Sequence, residues 1–211
     1  MLPHSEACER NKEPILGVLS EALRNVTTVL EIGSGTGQHA VHFATHLRHL
    51  VWQPTDRREY LPGLSARVRL EGPINLYAPL ELDVCSETWP ATSFDAVFTA
   101  NTLHIMSWPE VEALLRGAAA SLAPGGRLLV YGPFRYGGRY TSHSNALFDE
   151  QLRSRDPASG IRDFEAVNEL AASVGMAAEA DHAMPANNRL VIWRLPPDGQ
   201  RGRGTMGATT A

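Results

Sequence analysis

The feature that most limits the folds open to this chain is the alternation of two hydrophobic periods as far as Tyr131. Residues 14–24 put Ile15, Val18, Leu19, Ala22 and Leu23 on one helical face, with Pro14 expected in the first turn, where its missing N–H costs little. Residues 28–32 are a short β-branched apolar run that ends in glycines and reads as a strand. Residues 36–47 return to the helical period, with Ala40, Phe43, Ala44 and Leu47 inward. A second strand is expected over 50–55, with Pro54 near its end as strand prolines should be, then a weaker helix over 61–70 and a third strand near 80–84. The most apolar strand is 94–100. A helix over 108–122 follows, stopped at Ala123-Pro-Gly-Gly126, and 127–131 is the fifth strand. Strand and helix in alternation, with short connections, argue for a parallel sheet covered on both faces.

After Tyr131 the rhythm breaks. A polar and aromatic stretch, 132–145, precedes helices near 146–153 and 164–174, and two late strands, 176–182 and 189–195, are joined by Ala183-Met-Pro-Ala-Asn-Asn188. The 211 residues suit one domain, expected over 1–196, with 197–211 a flexible tail that holds the one basic cluster, Arg201-Gly-Arg-Gly204. A net charge of −4 gives no electrostatic footprint for nucleic acid. The polar N-terminus lacks a signal-peptide apolar stretch, and no run is long enough to cross a membrane. Cys8 and Cys85 show no metal or redox spacing and read as reduced thiols, so a soluble cytoplasmic protein is expected. No pattern sets an oligomeric state.

The first strand runs into Glu31-Ile-Gly-Ser-Gly-Thr-Gly37, where Gly33, Gly35 and Gly37 let the backbone turn sharply and approach a ligand. The spacing is GxGxG; it is not the dinucleotide GxGxxG, and no GK[ST] follows to make a phosphate loop. Glu31 would repel a pyrophosphate and suits a ligand with an ammonium group. Asp56 closes the second strand, where a carboxylate can accept from both ribose hydroxyls; Asp83 closes the third, within reach of an adenine amino group. Each acid alone has an ordinary surface reading. With Asn101 they stand at successive strand ends, beside the switch point where open α/β sheets bind ligands.

Val29-Leu-Glu-Ile-Gly-Ser-Gly-Thr-Gly37 with these spaced acids resembles a class I S-adenosylmethionine (SAM)-dependent methyltransferase. The resemblance implies a Rossmann-like seven-stranded sheet in the order 3-2-1-4-5-7-6, strand seven antiparallel, with helices on both faces. It also implies SAM as donor, S-adenosylhomocysteine (SAH) as product, and a cofactor site of Glu31, Gly33, Ser34, Gly35, Gly37, Gln38, Asp56, Asp83, Val84 and Asn101. More narrowly, Glu9-Arg-Asn-Lys-Glu-Pro-Ile15, Gly35-Thr-Gly-Gln-His-Ala-Val-His-Phe43, Trp52-Gln-Pro-Thr-Asp56, Tyr131-Gly-Pro-Phe134, Ser144-Asn-Ala-Leu-Phe-Asp149, Arg155-Asp156 and Met184-Pro-Ala-Asn-Asn188 resemble a family of small methyltransferase-like proteins without an assigned substrate. That family includes methyltransferase-like protein twenty-six.

Methyl transfer from a sulfonium asks mainly for alignment and exclusion of water. His104, just past the fourth strand, is the candidate base, with packing against Trp108 as the plainer alternative. The resemblance implies that Asn11 and Lys12 belong to a lid over the cofactor or acceptor, with a solvated helix start as the plainer alternative. Tyr131, Phe134, Arg135 and Tyr140 are candidates to line an acceptor pocket or a mobile cover, Asn145 shares a helical face with Asp149, and Asn187 either turns the last hairpin or reaches the cleft. His39 and His42 lack a third ligand nearby, so no metal is expected. The leading reading is a methyltransferase acting on a small-molecule acceptor; the alternative is a non-catalytic SAM-binding module. A nicotinamide oxidoreductase is disfavoured by Glu31 and the GxGxG spacing.

Overall fold

A computed structural model describes residues 2–91 and 93–197. The expected tail, apart from Pro197, and its arginines lie outside the described residues. Helix α1 spans Glu6–Ala22. It therefore starts well before Pro14, because Ser5 caps it by accepting from the Cys8 N–H and Glu6 and Glu9 complement the dipole of the first turn. Pro14 sits mid-helix, where its missing N–H deprives the Arg10 carbonyl of its helical partner.

Strands β1 (Thr28–Ile32), β2 (Val51–Asp56) and β4 (Phe94–Ala100) fall within a residue of expectation, as do helices α2 (Gln38–His46, two residues later at its start), α3 (Leu61–Glu71) and α4 (Trp108–Ser121). Strand β3 is only Leu80–Glu81, since the chain turns at once: Asp83 accepts from Cys85 N through Oδ1 and from Ser86 N through its carbonyl. Ser107 and Glu110 form a capping box that starts α4. β5 (Leu122–Gly132) pairs with β4 from its first residue, through a register shift between Phe94 and Ala96.

The expected polar stretch contains a small second sheet, β7-β6-β8, built from β6 (Phe134–Tyr136), β7 (Arg139–Tyr140) and β8 (Arg162–Asp163). Strands of two or three residues carry no readable alternation. Helix α5 (His143–Arg155) begins earlier than expected because Ser142 accepts from the Asn145 N–H at 3.1 Å. Then come α6 (Phe164–Ser173), β9 (Ala177–Met184) and β10 (Asn188–Arg194).

The main sheet runs β3-β2-β1-β4-β5-β10-β9, with β10 antiparallel to β5. Counting only its own strands, this is the order 3-2-1-4-5-7-6 of the Rossmann-like methyltransferase fold. Alternate residues feed opposite cores. Val97 and Leu128 pack with Leu114, Leu115 and Val167 on one face; Phe98 and Leu129 pack with Leu19, Phe43 and Trp52 on the other. Each such side chain contributes about 1.5–3 kcal/mol on burial.

Candidate functional site

The carboxyl ends of β1, β2, β4 and β5 open into one cleft of about 1040 Å³, just above the roughly 300–1,000 Å³ typical of small-molecule sites. Its floor is the glycine loop. Gly33 N and Ser34 N both donate to Thr55 O, at 3.1 and 3.0 Å, which ties the loop to the end of β2. Gly33 has φ +71°, and a Cβ there would meet Thr102 Cγ2 at 2.7 Å. Gly33, Ser34 and Gly35 line the cleft, whereas Gly37 faces α3, 2.8 Å from Leu64 Cδ1 when a Cβ is placed on it. Ser34 Oγ is buried beside the cleft and makes no hydrogen bond of good geometry with any described residue.

Asp56 accepts from Gly35 N through Oδ2 at 2.6 Å and from Arg57 N through Oδ1 at 2.8 Å. It lines the cleft with Leu82, Asp83 and Val84. Asn101 also lines it, at φ +61°, its N–H donating to Tyr131 O at 2.8 Å. Glu31 does not reach the cleft wall. It is buried under the loop, where Trp52 Nε1 donates to its carboxylate at 2.9 Å. Burial lifts its pKa to about 7 against the opposing indole hydrogen bond. Gln38 is likewise behind the lining: its side-chain oxygen accepts from Ser5 N and Thr36 Oγ1, and its amide donates to Glu9. Arg67 donates to Thr36 O and Pro3 O, so the start of α1 is held over the glycine loop.

Of the candidate acceptor residues, Asn11, Tyr131 and Asn145 line the cleft. Asn11 Oδ1 lies 2.6 Å from His39 Nε2, and the side chains of Asn11 and Asn188 both stand near the Tyr131 hydroxyl. Asn145 Nδ2 donates to Thr141 Oγ1 and to Asn187 O. Asn187 thus helps through its backbone, at φ +58°, with its side chain outside the lining. The others stand elsewhere. Lys12 pairs with Glu9 in a separate groove; Phe134 is in the core; Arg135 pairs with Asp163 at 2.6 Å beside Tyr140, whose hydroxyl donates to Asp149 at 2.7 Å.

His104 lines the cleft and packs edge-on against Phe148, centroids 5.3 Å apart, rather than against Trp108. Burial, helped by the nearby Arg162 charge, lowers its pKa to about 4, so the ring is neutral at pH 7. Residues 159–162 hold the loop that carries it. Gly160 N donates to His104 O at 2.8 Å, Ser159 Oγ to Ile105 O at 3.1 Å, and Arg162 to the carbonyls of Leu103 and Met106. Asp149 in turn accepts from Ile161 N, Tyr140 and Arg153. Sequence reasoning missed Cys8, Thr102, Ile105, Met106, Pro133, Phe148 and Ala186, all in the lining. For Phe148 a signal existed, since it lies three and four residues past Asn145 and Ser144 on one helical face.

The sheet order, with a cleft at its switch point over a strand–glycine loop–helix turn, is the class I methyltransferase fold. An O-methyltransferase family protein from Burkholderia thailandensis superposes with a TM-score of 0.76 at 17% identity, over 92% of this chain and 58% of that one. The SAM-dependent methyltransferase SibL, in its apo form, gives 0.77 at 23% identity, over 90% and 56%. Human N-acetylserotonin methyltransferase in complex with SAM gives 0.76 at 18%, over 90% and 53%. The chain thus spans just over half the length of these structures. Over residues 2–195 it matches the family described as "Protein of unknown function (DUF938)", and it belongs to that family. Among the described residues no helix is long and apolar enough to cross a membrane.

Proposed function

We propose that this protein is a SAM-dependent methyltransferase acting on a small-molecule acceptor, in the cytoplasm, and that it shares the narrower kinship with methyltransferase-like protein twenty-six. The observation that carries the reading is the cleft itself. A glycine loop at the end of β1 and a carboxylate at the end of β2 flank the switch point, with space left over for a second reactant. Structural neighbours named as O-methyltransferases support it through the fold.

The residues present fit the donor. Gly35, where a Cβ would meet nothing within 4 Å, keeps open space that a side chain would fill, and the buried Ser34 hydroxyl has no well-aligned partner among the described residues. Asp56 keeps a second lone pair on each oxygen for the ribose hydroxyls, and Asp83 stands beside Leu82 and Val84 for the adenine. Asn101 faces the reacting end. Glu31 supports the loop from beneath. Bound SAM would supply an electrophilic methyl group on a sulfonium. Asn11, Tyr131 and Asn145 orient the acceptor, Phe148 and the start of α1 exclude water, and neutral His104 forms part of the wall beside it. The thiols of Cys8 and Cys85 are both free, in keeping with a reducing compartment. Labelled SAM incubated with a metabolite extract should yield a labelled small molecule. A tight SAM complex that labels nothing would contradict the catalytic reading and favour a binding module.

A further inference from the structure

We propose that the acceptor enters the cleft as a small carboxylate, that Arg10 takes its charge, and that the methyl group goes to a carboxylate oxygen. This rests on the SAM reading of the glycine-loop end. Strand order divides the cleft at β1. On the β2–β3 side stand Asp56 and Asp83, and near them Glu110, which caps α4 and lies close enough to Cys85 to act on its thiol. Arg57, on the same side, pairs with Glu59 at 3.2 Å. The lining residues of β4, β5 and β10 and of the loops after them include no carboxylate among the described residues, and the cleft's other arginine, Arg10, is next in sequence to Asn11, which stands by Tyr131 of β5.

That cation is left over by its own helix. Glu6 hydrogen-bonds with His4, Glu9 pairs with Lys12 and Glu21 with Arg24, while Glu13 lies 3.4 Å from His42, so no acid of α1 pairs with Arg10. Arg10 makes no hydrogen bond or ion pair with any described residue, yet it lines the cleft next to Asn11. The first turn of α5, which carries no acid, faces the same chamber through Ser144 and Asn145 and adds to its positive field.

The proton balance points the same way. A neutral alcohol or phenol must lose a proton to a base. The two histidines in the chamber, His39 and His104, are each held near pKa 4 by burial, and burial pushes Tyr131 and Cys8 upward, so they stay protonated. A carboxylate needs none of them. Its oxygen lone pair forms the new O–CH3 bond, the S–CH3 bond breaks with its electron pair going to sulfur, and the products are SAH and a neutral methyl ester. No proton or co-reactant is required. Esterification also removes the charge that Arg10 binds, which favours product release.

The full-length protein saturated with SAH should bind phenylacetate at least tenfold more tightly than phenylacetamide, phenethylamine or methyl phenylacetate in ligand-observed NMR. Arg10→Gln should erase that preference while SAH affinity by calorimetry stays within twofold, and Arg10→Lys should restore part of it. Equal or absent binding across the four probes overturns the inference. So does a tenfold loss of SAH affinity in Arg10→Gln with the preference intact, which would assign Arg10 to the amino-acid carboxylate of SAM. A wild-type protein with no SAH heat overturns the SAM reading, and this inference with it; a normal SAH heat without a carboxylate preference overturns the inference alone.

Discussion

Two alanine substitutions in the glycine loop separate packing from ligand binding. Both Gly33 and Gly35 have positive φ, +71° and +54°, so an L side chain at either costs about 1–2 kcal/mol. They differ in what the new methyl meets. At Gly33 it lies 2.7 Å from Thr102 Cγ2, and Thr102 cannot turn away freely because its hydroxyl is 2.6 Å from Thr99 Oγ1, which donates to Ile32 O. Overpacking of this kind adds about 1–3 kcal/mol. At Gly35 nothing lies within 4 Å. Gly33→Ala should therefore lose about 2–5 kcal/mol in urea unfolding without ligand, and Gly35→Ala about 1–2 kcal/mol. In calorimetry Gly35→Ala should nonetheless weaken SAM tenfold or more, because its methyl stands in the space assigned to the ligand. Equal midpoints in urea for the two variants would refute the argument that Thr102 braces the loop.

Other outcomes follow from the buried polar groups. Glu31, raised from 4.5 to about 7, binds its proton more tightly folded than unfolded. Its share of stability, about 3 kcal/mol, is full below pH 4.5 and lost as pH rises to 7, so Glu31→Gln should raise the urea midpoint at pH 8 and flatten that limb. His104, lowered from 6.5 to about 4, acts oppositely: stability rises with pH from about 4 to 6.5, and His104→Gln should reduce that slope. Asp149→Asn should cost about 1–3 kcal/mol, by loss of partners for Tyr140, Arg153 and Ile161 N, and should speed hydrogen exchange at Gly160, whose N–H holds the His104 loop. Ala186 sits at φ 56°, ψ 36°, so Ala186→Gly should stabilise by up to about 1 kcal/mol in thermal unfolding, and a loss would refute strain there.

The sheet was legible because long elements repeat their period: β1, β4 and α4 stand where the apolar residues place them. The start of α1 was not, because Pro14 reads as a first-turn residue whereas the helix is capped upstream at Ser5. The small sheet was invisible because β6, β7 and β8 are too short to alternate. In the site, the loop glycines and strand-end acids are local in sequence, and most of them do line the cleft. Glu31 and Gln38 share that motif yet face inward, since Trp52 and Ser5 claim their side chains from distant segments. Another part of the lining assembles α1, α5 and the β9–β10 hairpin, which only the folded chain brings together. Arg135 and Tyr140 were plausible by position, but Asp163 and Asp149 hold them outside.

The most direct test of the whole account is calorimetric titration of the protein and its Asp56→Ala variant with SAM, SAH and NAD. The account predicts saturable binding of SAM and SAH at one site, loss of at least tenfold in affinity in the variant, and no heat with NAD. A clear NAD isotherm without a SAM signal, or SAM binding indifferent to Asp56, would contradict it.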